Sequence, residues 1–170
     1  MINKKIVSLR ALKKEDEELI LNWKSNENLR EMLGTVYPIS ELEHHYWFEN
    51  KMVDKNNKNF IIEYNERPMG LLGYNNVDWI NRNAEIFIFI GEESQQGLGI
   101  GRNAIQQLID FSYNNLNLHM LYLHVFSYNS RAIKMYENIG FRIDGRLRES
   151  KFSNGKYHDT LFMSKLLKEG

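Results

Sequence analysis

"SQQGLGIGRN", Ser94 to Asn103, places glycines at alternate positions 97, 99 and 101. With only 11 glycines in 170 residues, three within five positions mark a backbone under special demands. Before them, "NAEIFIFIG" reads as a buried strand with Glu85 at its beginning. After them, Ala104, Ile105, Leu108, Ile109 and Ser112 recur at helical spacing. A glycine-rich passage from strand to helix has two readings. In one, the glycines merely permit tight geometry. In the other, the free N–H groups of the helix's first turn converge on one spot, and the missing side chains let a diphosphate approach. Arg102 would add a charge-assisted contact at the rim. The G-x-G-x-G spacing departs from the dinucleotide fingerprint, and no Gly-Lys-Ser/Thr occurs to form a nucleotide-triphosphate loop.

Outward from this stretch, the chain divides into short alternating elements. Ile6 to Ala11 reads as a first strand. Glu15 to Glu18 open a helix with Leu19, Ile20 and Trp23 on one face, since acids suit the exposed N–H groups of a first turn. "NENLREMLGTVYP" (26–38) reads as a short helix or loop ending near Gly34 and Pro38. Ser40 and Glu43 have the form of a capping box, opening a helix with Leu42, Tyr46, Trp47 and Met52. "DKNNKN" (54–59) reads as a surface loop. "NFIIEYN" and "RPMGLLGYNNVDWI", joined through "NERP", form a hairpin. "HMLYLHVF" (119–126) is a further strand, and "NSRAIKMYENIGF" (129–141) holds a helix ended by Gly140. "FRIDGRLRE" and "KYHDTLFMSKLL" are strands around the "SNGK" turn. The order predicts an α/β (α+β) domain, a mixed sheet covered by helices.

Composition narrows the class. The length suits one domain over residues 1–170. Lys+Arg and Asp+Glu both number 22 and no long basic block occurs, so neither nucleic acid nor a membrane surface is an expected partner. Cysteine is absent, which excludes disulfides, thiolate metal sites and a cysteine nucleophile, and suits a cytoplasmic protein. No apolar run approaches the roughly 18 residues of a membrane span, and no signal-type segment is expected. His44 and His45 diverge on a helix, while His119 and His124 face opposite sides of a strand, so no metal site is expected.

Gln96-Gly97-Leu98-Gly99-Ile100-Gly101 resembles the Q/R-x-x-G-x-G/A segment of the GNAT family of N-acetyltransferases. About thirty residues on, Asn129, Ala132, Tyr136, Gly140 and Phe141 fall in register with the family's second signature, N-x-x-A-x-x-x-Y-x-x-x-G-F. The two motifs stand in the family's order with a strand between them, and the resemblance extends over nearly the whole chain. It implies the GNAT fold, a central, mostly antiparallel sheet of about seven strands with helices on both faces. It also implies acetyl-CoA as the cofactor, with its pyrophosphate on the backbone of residues 96–102. Ile88, Phe89 and Ile90 would pair with the pantetheine arm like an added strand, and Asn129 would hydrogen-bond the cofactor as well as cap its helix. A backbone N–H of the same strand would meet the oxyanion. Tyr136 would protonate the departing thiolate.

Acetyl transfer to an amine also needs a proton acceptor. A lysine-like amine, with a pKa near ~10.4, is neutral in only about one molecule per thousand near neutral pH, a deficit of roughly 4 kcal/mol. Glu85, on the strand leading into the loop, is the candidate base; its alternative is a strand-edge glutamate facing solvent.

The expected acceptor is a small-molecule amine. "LNWKSNENLREML" and "ISELEHHYWFE" resemble acetyltransferases acting on nucleotide-linked 4-amino sugars, and a 4-amino-4,6-dideoxy sugar is the main reading. "GRLRESKFSNGKYHDTLFMSKL" resembles those enzymes too, and equally spermidine acetyltransferases and enzymes acetylating ribosomal-protein N-termini. Trp23 and Arg30 are candidate acceptor contacts, Arg30 for a sugar-nucleotide phosphate. Tyr46, Trp47, Tyr74 and Trp79 are further aromatic candidates, each with core packing as the alternative. The acids at 15–18 suit a polyamine or simply a helix start. A homodimer is the expected assembly where the chain self-associates, and an acyl-CoA sensor without catalysis is the alternative of another class.

Overall fold

The structure, a computed structural model, describes residues 6–167. Its strands are β1 (Val7–Ala11), β2 (Asn59–Tyr64), β3 (Arg67–Asp78), β4 (Asn83–Ile90), β5 (Met120–Phe126), β6 (Arg142–Ser153) and β7 (Lys156–Leu166). Its helices are α1 (Asp16–Lys24), α2 (Glu27–Leu33), α3 (Glu41–Val53), α4 (Ile100–Asn114) and α5 (Ser130–Ile139). Hydrogen-bonded strand neighbours run β1-β2-β3-β4-β5-β7-β6, a seven-strand mixed sheet as expected. The pairs β1/β2, β2/β3, β5/β7 and β6/β7 are antiparallel, and β4/β5 is parallel. No helix among the described residues is long and apolar enough to cross a membrane.

The chain forms two compact units, one of Met1–Asn75 with Phe87–Gln107 and the other of Asn76–Ile86 with Leu108–Gly170. In the first, Ile20 and Trp23 of α1, Leu29 of α2 and Phe48 of α3 pack with Ile61, Leu71 and Phe89 of the strands. Those positions explain why these helices form where they do, since each contributes an apolar stripe to one core. The β1–α1 turn is tied by Asp16. Its carboxylate takes a bidentate pair from Arg10 at 2.8 and 3.0 Å and the Lys13 N–H at 2.7 Å. Glu17 lies 2.7 Å from His45 Nδ1, so Asp16 and Glu17 of the 15–18 stretch both have side-chain partners.

The segment left open as helix or loop is helical. Asn26 caps α2 by accepting the Leu29 N–H at 3.0 Å, and Gly34 ends it in the left-handed region. The capping box of α3 is complete, with Ser40 and Glu43 exchanging hydrogen bonds at 3.1 Å. Asn59 closes the 54–59 loop reading and opens the "NFIIEYN" strand reading, and the structure gives it to the strand. It opens β2 and is buried.

In the second unit, Leu121, Leu123 and Val125 of β5 are buried, as are Leu161 and Met163 of β7. The β6–β7 hairpin closes through Asn154 and Gly155, both at positive φ, the turn that suits the twist of paired strands.

Candidate active site

The glycine loop belongs to the first unit. Gly97 and Gly99 take φ of 84° and 76°, the left-handed region that a side chain disfavours. A Cβ built on Gly99 meets no atom within 4 Å, so the space over its backbone is open. Asn103 N–H donates to Gly99 C=O at 3.0 Å as the first bond of α4. The N–H groups of Ile100, Gly101 and Arg102 therefore precede the helical ladder and are left for an external acceptor. Ile100 is buried and anchors this end, while Leu98 is exposed. A diphosphate needs convergent donors, open space over the backbone and a nearby cation; free N–H groups, the bare Gly99 and Arg102 meet all three.

The strand leading into the loop is held from below. Gly91 N–H donates to Met69 C=O at 2.7 Å, and a Cβ on Gly91 would lie 2.2 Å from the Trp23 ring. Trp23 donates its indole N–H to Glu92 at 2.9 Å and meets Phe89 edge-on. Trp23 is only 4% exposed, so it stands in the core rather than at an acceptor pocket. The parallel β4/β5 ladder covers Asn83–Glu85 against Met120–Tyr122. Ile88, Phe89 and Ile90 lie past its end, with no β5 partner among the described residues.

In the second unit, Glu85 is not a free strand-edge carboxylate. Asn76 donates to Oε2 at 3.1 Å, and His124 Nδ1 lies 3.0 Å from Oε1. Tyr122, the register partner of Glu85, has its phenol pushed up by burial and then by the charges of Glu85 and Asp78. The sequence pattern alone gives His124 no role in the site. The signal was there only in the register: once Glu85 pairs with Tyr122, His124 falls two residues along on the same side.

Tyr136 lies on α5 and is buried, edge-on to Phe141 at 5.8 Å between centroids. Burial pushes its phenol well above the usual range, so it holds its proton throughout neutral pH. Asn129 caps α5 by accepting the Ala132 N–H at 3.3 Å, which leaves its amide N–H₂ to donate elsewhere.

Profile comparison matches residues 9–162 to the acetyltransferase (GNAT) domain. The chain belongs to the GNAT family. This GNAT protein is 36% identical over 157 residues to a spermidine N(1)-acetyltransferase from Vibrio cholerae, covering 90% of this chain and 88% of the relative. A crystal structure of the Vibrio cholerae spermidine N-acetyltransferase with CoA and spermine superposes with a TM-score of 0.88 at 33% identity, covering 96% of each chain. A dodecameric structure of the spermidine N-acetyltransferase from the same organism gives 0.81 at 33% identity, covering 96% and 95%. The protein is thus an acetyl-CoA-dependent N-acetyltransferase, as its two motifs imply.

Other candidate residues are scattered. Arg30 is half-buried, and its Nε has no hydrogen-bond partner. Tyr74 is buried against Phe60, and Tyr46 and Trp79 are exposed. Trp47 lines a cavity of about 240 Å³ in the first unit, together with Lys24, Thr35, Lys51, Asn59 and Phe87. Glu17, His45 and Glu49 bring three potential metal-ligand atoms within 4.8 Å, a grouping that spacing alone does not disclose.

Proposed function

We propose that this enzyme acetylates a primary amine of a small polyamine of the spermidine type. The observation that carries this reading is the likeness to a spermidine acetyltransferase along nine-tenths of the chain. It favours the polyamine over the nucleotide-linked 4-amino sugar. That sugar is the second reading, favoured by the two lysines of the 240 Å³ cavity. Protein N-termini are a third class for the same assay.

Bound acetyl-CoA supplies an activated acyl group on a thiol leaving group. The residues have separable roles. Backbone N–H groups of residues 97–102, with the Arg102 guanidinium, hold the diphosphate. Gln96 begins the loop. The open edge of Ile88–Ile90 pairs with the extended pantetheine arm, and an N–H of this strand meets the acyl oxygen. Asn129 donates its amide hydrogen to the cofactor. Glu85 attracts the ammonium of the acceptor and takes its proton; His124, half-exposed beside it, offers a way for that proton to reach solvent. Tyr136 donates a hydrogen bond to sulfur as negative charge grows there.

Self-association is also proposed. β6 pairs only with β7 among the described residues, and Leu147, Phe152 and Tyr157 of this hairpin are exposed. A homodimer is the smallest assembly that would cover them, and light scattering decides. The absence of cysteine supports a cytoplasmic location.

The test is thiol release from acetyl-CoA with spermidine, a UDP-linked 4-amino sugar and an N-terminal peptide. Spermidine is expected to give the highest kcat/KM. A higher value for the sugar or the peptide overturns the acceptor reading, and no turnover with any amine leaves the sensor.

A further inference from the structure

Two lysines from different helices face one cavity in the first unit. Lys24 ends α1, and Lys51 lies one turn beyond Trp47 on the same face of α3. The Lys24 ammonium sits 3.3 Å from the centroid of the Trp47 ring. Neither lysine forms an ion pair among the described residues. The nearby acids make hydrogen bonds of their own, and Asp54 also feels the charge of Lys51. Glu43 closes the capping box, Glu17 meets His45, and Asp54 accepts the N–H groups of Asn56 and Asn57 at 2.9 Å each. Burial, and then the charge of Lys51, pull Lys24 down to about 8. Two ammonium groups thus face the cavity, with Asp54 offsetting Lys51 only in part and from beyond ion-pair distance.

A second, independent feature lies in the same wall. Asn59 is 5% exposed, and neither its Oδ1 nor its Nδ2 has a hydrogen-bond partner. A buried amide with both ends unmade is rare, because each unpaired group costs about 1–3 kcal/mol. A ligand oxygen accepting from Nδ2, and a ligand hydroxyl donating to Oδ1, would satisfy it.

We propose that this cavity, bounded by Lys24, Trp47, Lys51 and Asn59, binds an anionic small molecule carrying a phosphate or carboxylate and at least one hydroxyl. The apolar walls of Trp47 and Phe87 take the uncharged part of the ligand. A polycation has the wrong charge here, so the cavity is not a second seat for spermidine. The site does not depend on which amine is acetylated.

The test is calorimetric titration with UMP and with inorganic phosphate, at low salt, on enzyme saturated with CoA so that the glycine loop is filled. The expected result is UMP binding that weakens at least tenfold in Lys51→Gln and is largely kept in Lys51→Arg, with circular dichroism unchanged in both. Spermine should give no heat that depends on Lys51. Equal UMP binding in parent and Lys51→Gln, no binding at millimolar UMP, or Lys51-dependent spermine binding would each overturn the proposal. If UMP competes with the amine in initial rates, the anionic group is the acceptor's own. If it does not, the ligand is separate, and the site stands in either case.

Discussion

Tyr136→Phe separates chemistry from packing because it removes one oxygen from a buried ring. That hydroxyl has no hydrogen-bond partner among the described residues, while the ring keeps its edge-on contact with Phe141. The hydroxyl is not one of the fully buried atoms left without a partner, so solvent reaches it and the phenylalanine variant should fold about as well as the parent. For a chain of this size, 1 kcal/mol moves Tm by about 2–4 °C, and the shift should stay within that range. Catalysis should change far more. General-acid contributions run to about 10²–10⁴-fold, and a thiolate is a good leaving group, so the low end applies. A hundredfold fall is about 2.7 kcal/mol of barrier. It should appear in kcat, with acetyl-CoA affinity changed less than about tenfold, because the hydroxyl matters most when charge reaches sulfur. Single-turnover kinetics beside thermal melts reads both quantities. Parent-like turnover where chemistry limits the rate, or a Tm lower by several degrees, would refute the assignment and make Tyr136 a packing residue.

Glu85→Gln should lower kcat/KM by about 10²-fold, most severely at low pH where the neutral amine is scarcest, while acetyl-CoA affinity stays within about twofold. Parent-like activity across pH 6–9 would reduce Glu85 to a structural role. Gly99→Ala should cost about 1–2 kcal/mol from the left-handed φ, and Gly99→Val should weaken acetyl-CoA binding further by filling open space over the loop; calorimetry showing parent affinity in folded Gly99→Val would remove the loop from the site. For Asp16, burial pushes the carboxyl up, but the hydrogen bonds from Arg10 and the Lys13 N–H outweigh it, and the folded value lies below the ordinary one. Its stabilisation is therefore present above the unfolded value near 3.8 and lost as pH falls through the folded one. Because Arg10 is partly exposed and keeps its pair with Glu63, Asp16→Asn should destabilise by about 1–3 kcal/mol at pH 7 and much less near pH 2, as urea melts at the two pH values would register.

What was legible in the sequence was whatever depends on near neighbours. The Ser40/Glu43 box, the Asn-Gly turn at 154–155 and the glycine loop are set by residues within a few positions of one another, and each forms as read. The α2 helix was left open because its cap, Asn26, also suits a turn, and only the Leu29 N–H it receives decides between them. What was not legible depends on pairing across long separations. His124 reaches Glu85 only because the parallel register aligns Glu85 with Tyr122. Lys24 meets the cavity of Lys51 across 27 positions, and nothing in the sequence around Asn59, at a loop–strand boundary, shows that its amide is buried in the same wall. Trp23, 4% exposed in this structure, shows the same limit for an aromatic. An aromatic on the apolar face of a helix cannot declare from sequence whether it fills a core or walls a pocket.

The central claim is direct acetyl transfer to a polyamine amine, and isotope tracing tests it most directly. Acetyl-CoA labelled with ¹³C in the acetyl group is mixed with spermidine and the enzyme, and products are followed by NMR beside thiol release. The account predicts one labelled amide on a primary amine of spermidine for each thiol freed, with initial-rate plots that intersect as a ternary complex requires. Tight acetyl-CoA binding without any labelled amide, or thiol release without matching acetylated spermidine, would contradict it.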